Sequence, residues 1–294
     1  MAAMKPTESP AGSVVVEDLA SAVNSVLRIT ATLIIYLFHC HGLYGRGDSR
    51  PLFYAFAFFL FLSGYYAMVR RENAVRWIRR RLRRIYIPYW LVITVVVLSN
   101  WAVQYKPVGV KELFFLLIGG NLFIEDKLYV IAWFISVIIF LYCCVFLMAY
   151  FRSMALRFLL AVALVYIMSH YRIPVYFYVA FTIGWSLHYL LLRSGLSRAV
   201  LPLSPGAART LQRVYGPLLT VQNFSYEFFL VHGGVLLLFN KLLKASYGEA
   251  LYAGIAVTMI NAMILKELTR RIELFIDGRR AAAGTGGDAK RSPN

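Results

Sequence analysis

NSVLRITATLIIYLFHCHG, residues 24–42, is an apolar run of the length needed to cross a bilayer in helical form, about 20 residues for a roughly 30 Å hydrocarbon core. Asn24, Arg28, Thr32 and His39 are among its polar members. At about 100° per residue, steps of 4, 4 and 7 place all four on one face of a helix. The run therefore reads as a transmembrane helix with a polar stripe. A polar side chain inside a span is costly and is kept for a partner or a reaction. Arg28 and His39 stand about three turns apart, roughly 16 Å along the axis, which puts a permanent cation near one boundary and a titratable imidazole past the midplane.

The rest of the chain has the same character. Its 294 residues are 60% hydrophobic and 15% charged, against about 45–50% and 25% in soluble domains, and the mean hydropathy is +0.64. Apolar runs near 25–45, 51–69, 85–105, 128–151, 155–171, 173–192, 218–240 and 249–268 predict an all-α polytopic bundle of about eight spans, nine or ten at most. The shorter run 111–124, which holds Gly119 and Gly120, reads as re-entrant or interfacial. With the N-terminus inside, the inner segments and adjoining span ends hold 23 of the 31 Lys and Arg, and the outer ones hold 8. That segregation is the positive-inside pattern. Residues 1–24 read as a cytoplasmic polar tail without signal-peptide features, 25–272 as the membrane domain, and 273–294 as a disordered cytoplasmic tail.

The net charge of +17 lies in short segments between apolar runs rather than on a folded basic face, which argues against nucleic acid as a partner and for the lipid bilayer. The densest segment, residues 70–84 (RRENAVRWIRRRLRR), carries eight arginines and one glutamate. It reads as a headgroup anchor or as a dock for a polyanion, since a guanidinium can hold phosphate oxygens through two parallel hydrogen bonds. Tyr86 and Tyr89 just beyond it read as interfacial anchors. Cys40, Cys143 and Cys144 sit in or beside apolar runs, with no disulfide or metal-site spacing, and no metal is expected. Nucleophile elbow, zincin, Walker and dinucleotide fingerprints are absent from the sequence.

Among the remaining ionisable groups, Glu227 is the carboxylate placed well inside a span, with Asn223 one turn earlier as a possible hydrogen-bond partner. Ser225 and His232 share a face at i and i+7. His41, His170 and His188 are weaker candidates, near span ends or suited to packing. Histidine is the one acid–base group near the centre with an ordinary pKa suited to proton transfer around neutral pH.

Taken in order along the chain, these residues resemble the membrane-bound acyltransferase-3 family of O-acyltransferases, which modify cell-surface glycans and lipids. Arg28 and His39 match its first-span pair. FFLFLSGYY (58–66), with Ser63 and Gly64, is similar to its second-span element, and RLRRIYIPY (81–89) to its basic run followed by Pro and Tyr. Trp133 resembles the Trp that opens a middle span, and Ser225, Tyr226 and His232 resemble a late Ser-Tyr…His ending.

The resemblance implies transfer of a short acyl group, most often acetyl, from cytoplasmic acyl-CoA to a hydroxyl of a surface polysaccharide or lipid-linked sugar. It gives the catalytic roles to His39 and Arg28, and donor or substrate binding to Arg81, Arg84, Ser63, Trp133, Tyr226, Glu227 and His232. The expected location is a bacterial-type inner membrane with both termini cytoplasmic. A different class, a proton-coupled transporter with His39, Glu227 and His232 as its relay, is the competing expectation.

Overall fold

The computed structural model describes residues 13–46, 50–68, 73–104, 106–124, 128–129, 131–151, 153–171, 173–196, 199–202 and 204–288. Arg70 and Arg71 of the basic segment lie outside them. Ten α-helices carry the fold: α1 (Val16–Tyr44), α2 (Ala55–Tyr65), α3 (Ala74–Val103), α4 (Val110–Leu117), α5 (Ala132–Tyr150), α6 (Met154–His170), α7 (Val175–Arg193), α8 (Pro205–Gln222), α9 (Ser225–Leu237) and α10 (Tyr247–Asp288). The one sheet among the described residues is a two-stranded antiparallel ribbon of β1 (Ser13–Val15) and β2 (Val200–Pro202). The architecture is an all-α membrane bundle. Five helices are long and apolar enough to cross a membrane: Asp18–Tyr44, Ala74–Val103, Ala132–Tyr150, Val175–Arg193 and Tyr247–Gly278.

Two of the eight expected spans look different in the structure, while the fifth, α6, keeps the expected 17 residues. The second is α2, 11 residues preceded by a 3-10 turn at Arg50–Tyr54. The seventh, expected over 218–240, breaks at Asn223 and Phe224 between α8 and α9. α8 is a separate element that begins well before the expected span: Ser204 caps its first turn by accepting from Ala207 N–H at 3.3 Å, and Pro205 opens it. Helix also enters both segments expected as tails. α1 starts at Val16 and α10 continues to Asp288, where Arg83 of α3 holds Asp277 at 2.7 Å and lies 3.7 Å from Glu273.

Helix ends follow local chemistry. α1 stops at Gly45, whose φ of 63° is the left-handed conformation glycine tolerates, and the Arg46 N–H returns to the His41 carbonyl at 3.0 Å. A reciprocal capping box starts α10: the Ser246 N–H donates to Glu249 Oε2 at 2.6 Å, and the Glu249 N–H donates to Ser246 Oγ at 3.3 Å. α3 is continuous for 30 residues, so the arginines at 76, 79, 80, 81, 83 and 84 are helical turns of the spanning element itself.

The re-entrant reading of 111–124 acquires a mechanism. α4 has only 8 residues, and its last carbonyls need donors where water is scarce. α3 supplies them: the Tyr89 hydroxyl to Leu116 at 2.5 Å, the Trp90 indole to Leu117 at 2.9 Å and the Tyr86 hydroxyl to Ile118 at 2.6 Å. Tyr86 and Tyr89, read in sequence as interfacial anchors, thus also cap the end of a broken helix.

α5 runs through the middle of the main core, with Phe134, Ile135 and Leu141 buried. α2 and α7 run parallel, with Tyr54 beside Tyr176 at one end and Tyr65 beside His188 at the other. They cross where Gly64 and Gly184 let the backbones meet. A Cβ on Gly64 collides with the Phe181 carbonyl, and one on Gly184 with the Phe61 carbonyl. Small residues at a close crossing are how membrane helices gain packing contacts. Gly64→Ala or Gly184→Ala is therefore expected to lower stability in detergent by about 1–3 kcal/mol or more, because rigid backbone has to shift. Gly234→Ala, with open space around it, should not; thermal unfolding of the three variants checks this.

Candidate active site

The polar stripe of α1 turns inward, and α2, α3, α9 and α10 close around its lower half. Asn24 is buried and donates to the Tyr66 hydroxyl at 3.2 Å. Thr32 donates to the Arg28 carbonyl at 2.7 Å, satisfying its hydroxyl within the helix. The Arg28 guanidinium lies 5.9 Å from the centre of the Tyr66 ring. Arg81 donates to the Tyr66 carbonyl and sits between two rings, Trp77 at 5.6 Å and Tyr142 at 5.4 Å. Tyr66, read in sequence only as the end of the FFLFLSGYY segment, joins α1 to α3.

Arg28, Tyr66, Trp77, Arg81 and Tyr142 line a cavity of about 1830 Å³. Arg28, Ser63, Arg81, Arg84, Tyr226 and Glu227, six of the nine expected site residues, are on its wall. The wall carries eight basic side chains and three acidic ones. Each acid is already paired: Glu273 and Asp277 with Arg83, and Glu227 with Lys266. Arg28, Arg80, Arg81, Arg84 and Arg193 therefore present an excess of positive charge suited to an anionic ligand. Pro88 adds to this wall indirectly, since it has no N–H to bond the Arg84 carbonyl one turn back.

Glu227 is buried, and its Oε1 accepts from Lys266 Nζ of α10 at 2.9 Å. The expected partner was Asn223. That residue precedes the start of α9 and is exposed, so the pairing passes to the neighbouring helix. Tyr226 donates its hydroxyl to the Ile85 carbonyl at 3.0 Å and ties α9 to α3.

Deeper along α1 and α9 the two best histidine candidates meet. The rings of His39 and His232 are 5.1 Å apart, centre to centre. His232 Nδ1 lies 2.6 Å from the Phe229 carbonyl; only an N–H can make that bond, so the neutral ring carries its lone pair on Nε2. The Nε2 atoms of both histidines are buried, and neither has a hydrogen-bond partner among the described residues. Phe38 and Phe56 pack on His39 at 5.0 and 6.1 Å, Phe229 packs on His232 at 5.5 Å, and the Tyr129 hydroxyl holds the Leu230 carbonyl. An imidazole in such a dry setting can exchange a proton with a hydroxyl brought to its Nε2.

Trp133 is not on the cavity wall. It stacks between Phe53 at 5.9 Å and Phe177 at 6.1 Å and reaches His39 through intervening rings, most directly Phe56 at 5.3 Å. The other histidines pack: His41 against Tyr247 and His170 between Tyr166 and Tyr171. No three of His, Cys, Asp and Glu converge as metal ligands among the described residues.

A buried histidine pair thus lies beyond an arginine-lined cavity inside the membrane bundle. The family model described as an acyltransferase domain matches residues 25–204, 180 of the 294 residues, and the chain belongs to this acyltransferase-3 family. It is accordingly a multi-pass membrane acyltransferase that transfers groups other than aminoacyl groups. No curated protein and no solved structure matches the chain. The family match contains Arg28, His39, Ser63, Arg81, Arg84 and Trp133, and ends before α9, so Tyr226, Glu227 and His232 stand on geometry and residue resemblance.

The Glu227–Lys266 pair yields a test. Removing one partner leaves a buried charge without its counter-ion, whereas removing both can be nearly neutral. Lys266→Met is expected to destabilise the protein by about 1–3 kcal/mol, given that the lysine is partly exposed. Adding Glu227→Leu should recover much of the loss, as read by thermal unfolding of the single and double variants.

Proposed function

We propose that this enzyme transfers a short acyl group, acetyl in the simplest case, from a cytoplasmic acyl-CoA to a hydroxyl of a cell-surface polysaccharide or lipid-linked sugar. The observation that carries the reading is the division between an arginine-lined cavity and a histidine pair further along the same two helices. Coenzyme A has that division too, with phosphates at one end and a reactive thioester at the other. Arg28, Arg81 and Arg84 hold the phosphates through charge-assisted hydrogen bonds, and Ser63 and Tyr226 line the approach. The cavity mouth carries the basic segments, so the positive-inside rule supports a cytoplasmic donor side and cytoplasmic termini.

In the reaction, His39 Nε2 takes the proton of the acceptor hydroxyl as its oxygen attacks the thioester carbonyl. The new C–O bond forms, the C–S bond breaks, and the proton passes from His39 to the departing thiolate. The products are an ester and free coenzyme A. His232, with its Nδ1–H held by the Phe229 carbonyl, packs its ring beside His39 and leaves the hydroxyl proton to His39 Nε2 alone.

The competing relay reading has less support: Glu227 is committed to Lys266, and the chain belongs to an acyltransferase family. In nanodiscs with acetyl-CoA and a hydroxylated acceptor, His39→Ala is expected to lower turnover by about 10²–10⁴-fold while keeping coenzyme A binding. Arg84→Ala should weaken that binding. Full transfer by a folded His39→Ala protein contradicts the assignment.

A further inference from the structure

Two buried oxygens on the cavity wall have no partner among the described residues: Glu227 Oε2 and Thr269 Oγ1. Both residues are more than nine-tenths buried. Lys266 occupies the other Glu227 oxygen, and Thr269 lies three residues beyond Lys266, on the same face of α10. Glu227 can only accept a hydrogen bond, while the Thr269 hydroxyl can donate one. Phe224, one turn before Glu227, lines the same cavity and offers a flat apolar face.

We infer that Glu227 and Thr269 read the adenine edge of the donor nucleotide, with Phe224 as the surface on which the base stacks. This rests on the acyl-CoA reading above and adds a recognition site to it. Adenine presents an amino N–H donor beside a ring-nitrogen acceptor on one edge. That pattern complements an acceptor carboxylate and a hydroxyl donor on the wall of one cavity. The amides of the pantetheine arm fit less well, because a trans amide carries its N–H and C=O on opposite sides. The charges also divide sensibly: the unpaired arginines take the phosphates, and the acid, neutralised by Lys266, faces the uncharged base. Base stacking on an aromatic ring is tolerant of orientation, so the hydrogen-bonding pair sets the discrimination.

The test compares the affinity of coenzyme A with that of 1,N6-etheno-coenzyme A, in which the amino group and its neighbouring ring nitrogen are closed into a third ring. The ratio is measured on one preparation, so the folded fraction cancels. Wild type should bind coenzyme A about 10- to 100-fold more tightly, the range expected for a hydrogen bond to a charged group. Glu227→Gln turns an amide NH₂ toward the base, because Lys266 keeps the oxygen side, and should bring the ratio toward one. Thr269→Val, a change of similar shape that leaves the ion pair intact, should reduce it as well. Equal binding of the two ligands by wild type, or a ratio unchanged in both variants, overturns the adenine assignment and leaves the acyl-CoA reading standing. Failure of wild type to bind either ligand overturns both.

Discussion

An ionisable side chain carried into a membrane by a helix must face protein or water, because hydrocarbon offers it neither hydrogen bonds nor counter-charge. That constraint arranges most of this molecule. α1 carries Arg28 and His39 into the bilayer, and its neighbours are placed so that both side chains find an interior. α2 brings Tyr66 to Arg28, α3 brings Arg81 to the same tyrosine, and α9 sets His232 against His39. Glu227 on α9 obliges α10 to supply Lys266. The helices are packed around these pairs, and the apolar faces point to lipid.

The same constraint separates the two halves of the site. Where the cations gather, the bundle opens into a cavity large enough for solvent and a polyanionic ligand. The histidines sit deeper, in an aromatic shell of Phe38, Phe56 and Phe229. There the low dielectric strengthens any hydrogen bond a substrate hydroxyl makes. An unpartnered Nε2 is costly in the resting protein, and a hydroxyl that donates to His39 Nε2 relieves that atom's share of the cost. A site of this kind favours a donor that spans from wet to dry, which is the shape of an acyl carrier with a charged head.

Much of this was legible in the sequence where the signal is local. The face of Asn24, Arg28, Thr32 and His39 follows from helical periodicity alone, and the structure keeps it. The basic run supplied Arg81 and Arg84 because charge next to an apolar span is conspicuous. What depends on pairing between distant segments was not legible. Lys266 lies 39 residues from Glu227, and nothing near either one identifies the other. Asn223 was the local guess, and it fell in a helix break. Tyr86 and Tyr89 had the position of interfacial anchors, and only the broken end of α4 reveals what they cap. Trp133 carried a family resemblance but lies in an aromatic stack off the cavity, one ring removed from His39. The 218–240 run was apolar enough to read as one span, because hydropathy averages over the break at Asn223 and Phe224.

The central claim is spatial: one ligand has its phosphates among the arginines and its thioester at the histidine pair. The most direct measurement is a cryo-electron microscopy structure in nanodiscs with an acetyl-CoA analogue whose thioester sulfur is replaced by methylene, so that transfer cannot occur. The account predicts phosphate density against Arg28, Arg81 and Arg84, with the acyl carbonyl lying within reach of one intervening hydroxyl from His39 Nε2. Density elsewhere on the bundle, or an acyl end directed away from His39, would contradict it.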